Sequence, residues 1–304
     1  MNELDLTIYA IPAFFVLMVV EAVMLAGTAY RGYERRDTVA SLTMGVVNVI
    51  ISLFAKAVHF AFLAVVGRWA LFDIAPSWGS WLVLLVLGDL CYYWFHRLSH
   101  DVRFLWAAHV NHHSSERYNL STALRQSWTT PFTLMLFYWP LALLGFPPGM
   151  IIAGIAVNTI YQFWIHTELI DRTGRAEAVF NTASHHRVHH GTNVQYLDRN
   201  HGGILIIWDK LFGTFTPERE PVRYGLTRNI HTFNPVRIAF HEWEAMWRDV
   251  RRATTWRERL GYLFAPPGWS PDGSTLTSRQ LQARRAAEHA EAQRGGRMDA
   301  AASV

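Results

Sequence analysis

The chain has 304 residues, 51% hydrophobic and only 17% charged, with 13 Trp, 18 Phe and 11 Tyr. Charged residues approach a quarter of an ordinary soluble domain, so this composition points to a membrane protein. The net charge of +4 is dispersed, which suits the cytoplasmic face of a membrane rather than a nucleic-acid groove, and the one cysteine, Cys91, excludes internal disulfides and Cys-based zinc or iron–sulfur sites.

A first apolar segment covers about 6–30 and is interrupted by Glu21. The opening MNELDLT lacks the basic start of a signal peptide, so the segment reads as a retained span. RGYERRD follows, then a second span at 39–67 with Lys56 and His59 inside. A Trp-flanked connection leads to a third span at 79–96, which runs straight into HRLSH. A fourth apolar region, 131–166, is split by GFPPG, which predicts two short helices in a hairpin that need not cross the bilayer. Arg31, Arg35 and Arg36 lie between the first two spans, whereas only Arg68 follows the second. The positive-inside tendency therefore puts Arg31–Asp37, and every histidine cluster, on the cytoplasmic side. The expected fold is an all-α integral membrane protein with about four transmembrane helices or hairpin spans. A cytoplasmic helical cap, 97–130 and 171–264, completes a single domain over 1–264. The polar tail 271–304 reads as disordered or as a frayed helix, with no role assigned.

Histidines carry the chemistry. His96 and His100 are spaced i, i+4; His109, His112 and His113 are spaced i, i+3, i+4; His186, His189 and His190 repeat that triplet. On a helix these offsets put the rings on one face. His166 stands alone in QFWIHTELI, and His185 is i, i+4 to His189. Nine or ten imidazoles are too many for one ion and fit two, each with several nitrogens. Imidazole suits Zn, Cu, Fe and Ni alike. HExxH is absent, so a zinc peptidase of that type has no support. His59, His231, His241 and His289 read as ordinary structural or surface residues, and His201 is ambiguous. Neutral ligands leave the ions' charge uncompensated, so nearby acids are expected to accept the second N–H of ligating rings. Asp89, Asp101, Glu116, Glu168 and Asp198 are the candidates, with surface carboxylates the plainer reading for each. Trp81, Tyr92, Tyr93 and Trp94 either line a path from lipid to metal or anchor the chain at the interface.

HRLSH, HVNHH and HHRVHH, placed after membrane spans, resemble the fatty acid hydroxylase/sterol desaturase superfamily, and its alkylglycerol monooxygenase-like branch most of all. LWAAHVNHHSSERYNLSTALRQS, QFWIHTELI and NTASHHRVHHGTN followed by GGILIIWDKLFGTF carry the resemblance, from about Asp89 to Phe215. It implies a membrane di-iron enzyme, with ligation by His96, His100, His109, His112, His113, His166, His186, His189 and His190, and with His185 as a further candidate. An acid after the first box is also implied; here it is Asp101 where Glu is expected in animal enzymes. His201 stands where those enzymes tend to carry Tyr, and the chain ends soon after the cap, without their long further membrane region.

The implied activity is O2-dependent hydroxylation of an unactivated lipid C–H bond. In this branch the bond lies on the ether-linked carbon of an alkylglycerol. No haem or flavin motif is visible, so electrons come from outside, from tetrahydropterin as the branch implies or from a ferredoxin-like carrier. A sterol or fatty-acid hydroxylase or desaturase is the enzymatic alternative. A membrane metal carrier or sensor is the alternative of another class, and it predicts ligands strung across the bilayer rather than gathered at one edge.

Overall fold

The computed structural model describes residues 6–28 and 32–302; Tyr30, Arg31 and the side chain of His289 lie outside the described residues. Among the described residues three helices are long and apolar enough to cross a membrane: α1 (Leu6–Leu25), α2 (Arg35–Val66) and α3 (Trp78–Asp101). A bilayer core takes about 20 apolar residues, so each suffices and the chain is a membrane protein. Ser77 and Ser80 cap the start of α3 reciprocally, a device that fixes where the span begins. Two short helices, α4 (Arg103–Ala107) and α5 (Val110–His113), follow α3 at once.

The region 131–166 folds as a hairpin of two helices, α6 (Thr130–Leu144) and α7 (Pro148–Trp164). At 1.5 Å per residue these reach only about 22 and 25 Å, short of the roughly 30 Å hydrocarbon core. Three full-length candidates plus this hairpin thus stand where about four spans were expected. Gly145 makes the bend. Its φ of 111° is open to glycine alone without strain, and a Cβ there would sit 2.0 Å from the Phe72 carbonyl oxygen.

The bundle core joins α2, α3, α6 and α7 through Leu63, Leu84, Tyr138, Leu141 and Ile151. A second cluster fastens α1 to α7, with Phe14 stacked on Phe163 at 3.9 Å between ring centroids. Glu21 points inward, accepting from the Leu120 N–H at 2.7 Å, from Tyr33 Oη and from Thr167 Oγ1. The expected interruption of the first span is therefore a staple between α1 and the loops of the histidine region.

The rest is helical and irregular: α8 (Ala183–His189), α9 (Ile207–Phe212), α10 (Pro235–Arg252), α11 (Trp256–Phe264) and α12 (Ser278–Ala302). A lone bridge between Phe180 and Leu205 is the only extended pairing among the described residues. Within the tail, α12 is helical, the second of the two expected readings. Gln282 of α12 donates to the Val194 and Leu197 carbonyls at 3.2 and 2.9 Å, tying it to the cap.

Candidate metal centre

Two groups of buried imidazoles meet where α3 ends. His96, His100, His109, His113 and His189 form the first; His112, His166, His186 and His190 form the second. Within each group one nitrogen per ring lies within 4.8 Å of all the others. The groups abut, with the His113 and His190 rings stacked at 4.4 Å. Helix geometry explains the division. In α5 and at the C-terminal end of α8 the two adjacent histidines, at 112/113 and 189/190, point about 100° apart and so enter different groups.

Ring orientation fixes the chemistry. His96 Nδ1 donates to the His201 carbonyl at 2.8 Å, His166 Nδ1 to Gln162 at 2.7 Å, His189 Nδ1 to Arg199 at 3.0 Å and His112 Nδ1 to Arg125 at 3.4 Å. A carbonyl only accepts, so each Nδ1 carries the proton and each neutral ring turns an Nε2 lone pair inward. Yet Nε2 atoms stand 3.2 Å apart between His112 and His166, and 3.0 Å apart between His96 and His109 and between His166 and His186. The His112–His166 pair has both tautomers set, so lone pair faces lone pair and no hydrogen bond forms between neutral rings. Protonation is opposed by burial, which pushes His112 down to about 4 and holds His109, His113, His186, His189 and His190 well below the ordinary imidazole value. A divalent cation resolves the conflict. Nitrogens bound at about 2.1 Å and 90° apart stand about 3 Å from one another, the spacing found here. His100 Nε2 is buried without a partner, a further donor facing the first group. The donor set fits a metal in each group.

The acids mostly do other work. Asp198 alone of the five candidates meets a clustered histidine, its Oδ1 lying 3.3 Å from His100 Nδ1. Asp89, expected on the His96 face, accepts from the Ile204 and Leu205 N–H groups at 2.7 and 2.9 Å, from Trp208 Nε1 and from Asn158 Nδ2. It clamps the 203–208 loop to α3 and α7 two turns from the rings. Gly203 permits this, because a Cβ there would lie 2.7 Å from Asp89 Oδ1. Asp101 pairs with Arg97 and Arg279, Glu116 lies 3.8 Å from His231, and Glu168 accepts from Tyr224 Oη at 3.2 Å. Backbone carbonyls take the place expected of these carboxylates.

Other residues position those carbonyls. Asp209 accepts from the His201 and Gly202 N–H groups at 2.7 Å each and from Thr214 Oγ1, and burial raises its pKa to about 6. Asp198 and Asn200 adopt left-handed backbone, at φ 53° and 57°, the region Asx residues tolerate. The turn they make delivers the Arg199 and His201 carbonyls to two rings of the first group. Arg187 donates to the carbonyls of Thr167, Ile170 and Asp171 and to Glu218, fixing the chain after His166.

His185 stays outside both groups. It lies about 100° around the helix from His186, and its ring meets Phe215 edge-on at 5.4 Å. His201 is buried beside the first group, 5.1 Å from the His100 ring, but belongs to neither. His59 lies apart within α2, His231 is exposed, and His241 donates to the Ile238 carbonyl. Of the aromatic quartet, Tyr92 approaches the centre, 5.3 Å from His96 with its hydroxyl on Gln162. Tyr93 packs on Phe212, Trp81 packs on the bundle core, and Trp94 is partly open at the surface. A cleft of about 650 Å³ opens on the second group's side, between Tyr118, Glu168, Arg187, Glu218 and Tyr224. Tyr118 separates it from His166 and His190, at 5.9 and 5.2 Å, and lies parallel to Tyr224 at 4.7 Å.

Residues 81–214 match the fatty acid hydroxylase family model, so the matched segment opens near the start of α3 and includes every clustered histidine. That segment, less than half of the chain, is similar to the fatty acid hydroxylase family. It is 42% identical to the alkylglycerol monooxygenase of Homo sapiens over 269 residues, which is 86% of this chain and 59% of that protein. It is 41% identical to that of Xenopus tropicalis over 263 residues, 85% of this chain and 58% of the relative. A shorter match, 33% over 149 residues, covers 48% of the chain and 45% of an ornithine lipid hydroxylase of Rhizobium tropici. The chain thus spans little more than half the length of the alkylglycerol monooxygenases it matches. No solved structure matches it. α10, α11 and α12 lie beyond the matched segment.

Proposed function

We propose that the chain is an O2-dependent lipid monooxygenase with one iron in each histidine group. Its substrate would be an alkylglycerol ether lipid, oxidised at the ether-linked carbon. The observation that carries this is the pair of buried cages with Nε2 atoms 3.0–3.2 Å apart, in a chain whose long relatives are alkylglycerol monooxygenases. Bound iron would supply O2 reduction and oxygen insertion into the C–H bond. A hydroxyl on the ether carbon makes a hemiacetal, which collapses to an aldehyde and a glycerol lipid.

The chain's own residues hold, orient and dry this chemistry. Nine rings are the ligands, and carbonyls 125, 162, 199 and 201 lock four of their tautomers. Burial excludes water from the centre. Tyr92, between the lipid-facing bundle and His96, lies on the approach for the substrate chain. The cleft beside the stacked Tyr118 and Tyr224 offers an aromatic edge and the Glu168 carboxylate to a small N–H-bearing donor, which favours tetrahydropterin over a ferredoxin-like carrier. Arg35 and Arg36 begin α2 at the histidine end of the bundle, which supports a cytoplasmic site.

The test is purified protein in lipid with iron, tetrahydropterin and an alkylglycerol. The expected result is two irons per chain and aldehyde formed with O2 consumed. Hydroxylated or unsaturated chains with the ether intact would overturn the substrate assignment. Rapidly exchanging ions without O2 uptake would overturn the enzyme in favour of a metal carrier.

A further inference from the structure

We propose that α10 and α11 form an interfacial hairpin that lies on the membrane and grips anionic phospholipid headgroups. The inference goes beyond the proposed reaction and does not depend on it. α10 starts with Asn234 capping the N–H groups of Val236 and Arg237 and with Pro235 in the first turn; α11 starts with a Thr255/Glu258 capping box. Both helices are therefore well defined, and both are two-faced. α10 turns Ile238, Ala239 and Met246 inward, and Glu242 and Asp249 hold Arg103 of α4 at 2.7 and 2.8 Å. The outer face carries Trp247, 48% exposed. On α11, Trp256, Leu260 and Phe264 recur every four residues as one stripe, exposed 71%, 37% and 57%.

Depth and charge identify what covers this face. Ile238 and Ala239 pack on Ala40 and Met44, in the first turns of α2. A few residues on, α2 exposes Val46 and Ile50 by 60% and 63%, a surface that only lipid tails would cover. The start of α10 is thus level with the point where α2 enters the bilayer. Arg248, Arg251, Arg252, Arg257 and Arg259 surround the exposed aromatics and make no ion pair among the described residues. Between the two helices a groove of about 490 Å³ is lined by Trp247, Val250, Arg251 and Arg259, an apolar wall with two guanidiniums. Arginine recognises phosphate through paired N–H donors, and Trp beside Arg is the residue pairing of a headgroup region. A protein partner would leave the continuity with the lipid-facing part of α2 unexplained.

The test uses spin labels on the whole chain in vesicles. Trp256→Cys and Phe264→Cys, each with Cys91→Ala, would be labelled and reconstituted in phosphatidylcholine with phosphatidylglycerol. Arg284→Cys on α12 serves as the control. Collision with O2, which partitions into lipid, is compared with collision with a water-soluble nickel chelate. Labels at 256 and 264 are expected to favour O2 and the label at 284 the chelate. Omitting phosphatidylglycerol, or introducing Arg251→Glu with Arg259→Glu, should move the label at 264 toward the chelate; circular dichroism confirms that the variants keep their helices. Labels at 256 and 264 as chelate-accessible as 284 would overturn the proposal. So would a label at 264 that neither the lipid change nor the charge reversal moves.

Discussion

Arg125 is 1% exposed and ion-paired with Asp37, which is itself buried. Its Nε donates to Ser41 Oγ and its Nη1 to Ser114 Oγ, both at 3.1 Å, while Ser115 Oγ donates to the other Asp37 oxygen at 2.6 Å. The network ties α2 to the segment bearing His112, whose Nδ1 rests on the Arg125 carbonyl. Arg125→Met keeps the bulk but leaves Asp37 buried without its counter-charge, a change that costs about 3–5 kcal/mol in comparable pairs. Set against a typical total of about 5–15 kcal/mol, this is a large share. Arg125→Met with Asp37→Leu removes both charges and should recover most of the loss, because desolvation is then no longer uncompensated. The expected coupling in a double-mutant cycle is at least about 2 kcal/mol. Equilibrium unfolding in mixed micelles measures it, and metal content reads the second histidine group in parallel. A single variant that loses less than about 1 kcal/mol, or a double variant no more stable than the single, would refute the reasoning.

Other changes have distinct expected outcomes. His112→Ala should lower the metal bound in the second group and His189→Ala that in the first, each abolishing turnover, while the exposed His231→Ala leaves both unchanged; metal analysis of an active, fully loaded His112 or His189 variant would contradict the grouping. Gly145→Ala forces a Cβ onto the Phe72 carbonyl at a positive φ, so a loss of at least about 1 kcal/mol is expected in the same unfolding assay. His185 is held down to about 4 by burial. Its folded pKa lies below the unfolded value, so the stability it confers is present above about pH 6.5 and is lost as pH falls toward 4. Wild type should therefore lose about 2 kcal/mol more than His185→Gln between about pH 7 and about pH 5, read from unfolding midpoints, and equal losses would disprove the linkage.

The legible part of the site is the part governed by local periodicity. The offsets among His109, His112 and His113, and among His186, His189 and His190, are properties of a single helical turn, and both triplets converge as one-turn geometry demands. GFPPG likewise announced the α6–α7 hairpin, because Gly145 and the prolines act locally. The acids were harder to place. Asp89 is two turns from His96 on one helix, yet its partners are N–H groups of a loop about 115 positions away in sequence. No spacing rule reveals where Ile204 and Leu205 will lie. The exclusion of His185 was not readable from spacing, since it is i, i+4 to His189 and adjacent histidines at 112/113 and 189/190 do enter the two groups; its packing on Phe215 decides it.

The exchange of carboxylates for carbonyls has a consequence for the centre's charge. A carboxylate on Nδ1–H draws the proton and makes the ring a stronger donor to the metal; a carbonyl fixes the same tautomer with a much weaker pull. Four rings here rest on carbonyls, and one, His100, faces Asp198 at 3.3 Å. The buried acids nearest in function, Asp89 and Asp209, spend their oxygens on backbone N–H groups of the 201–209 loop. A metal held in these cages would therefore keep most of its positive charge. Such a charge would be costly in a low-dielectric setting and would make whatever bound beside the nine rings more electrophilic. The same accounting explains why the loop is clamped so heavily. The carbonyls of Arg199 and His201 must be held against the rings by bonds that do not themselves reach the metal, and Asn200, Asp209 and Asp89 supply those bonds.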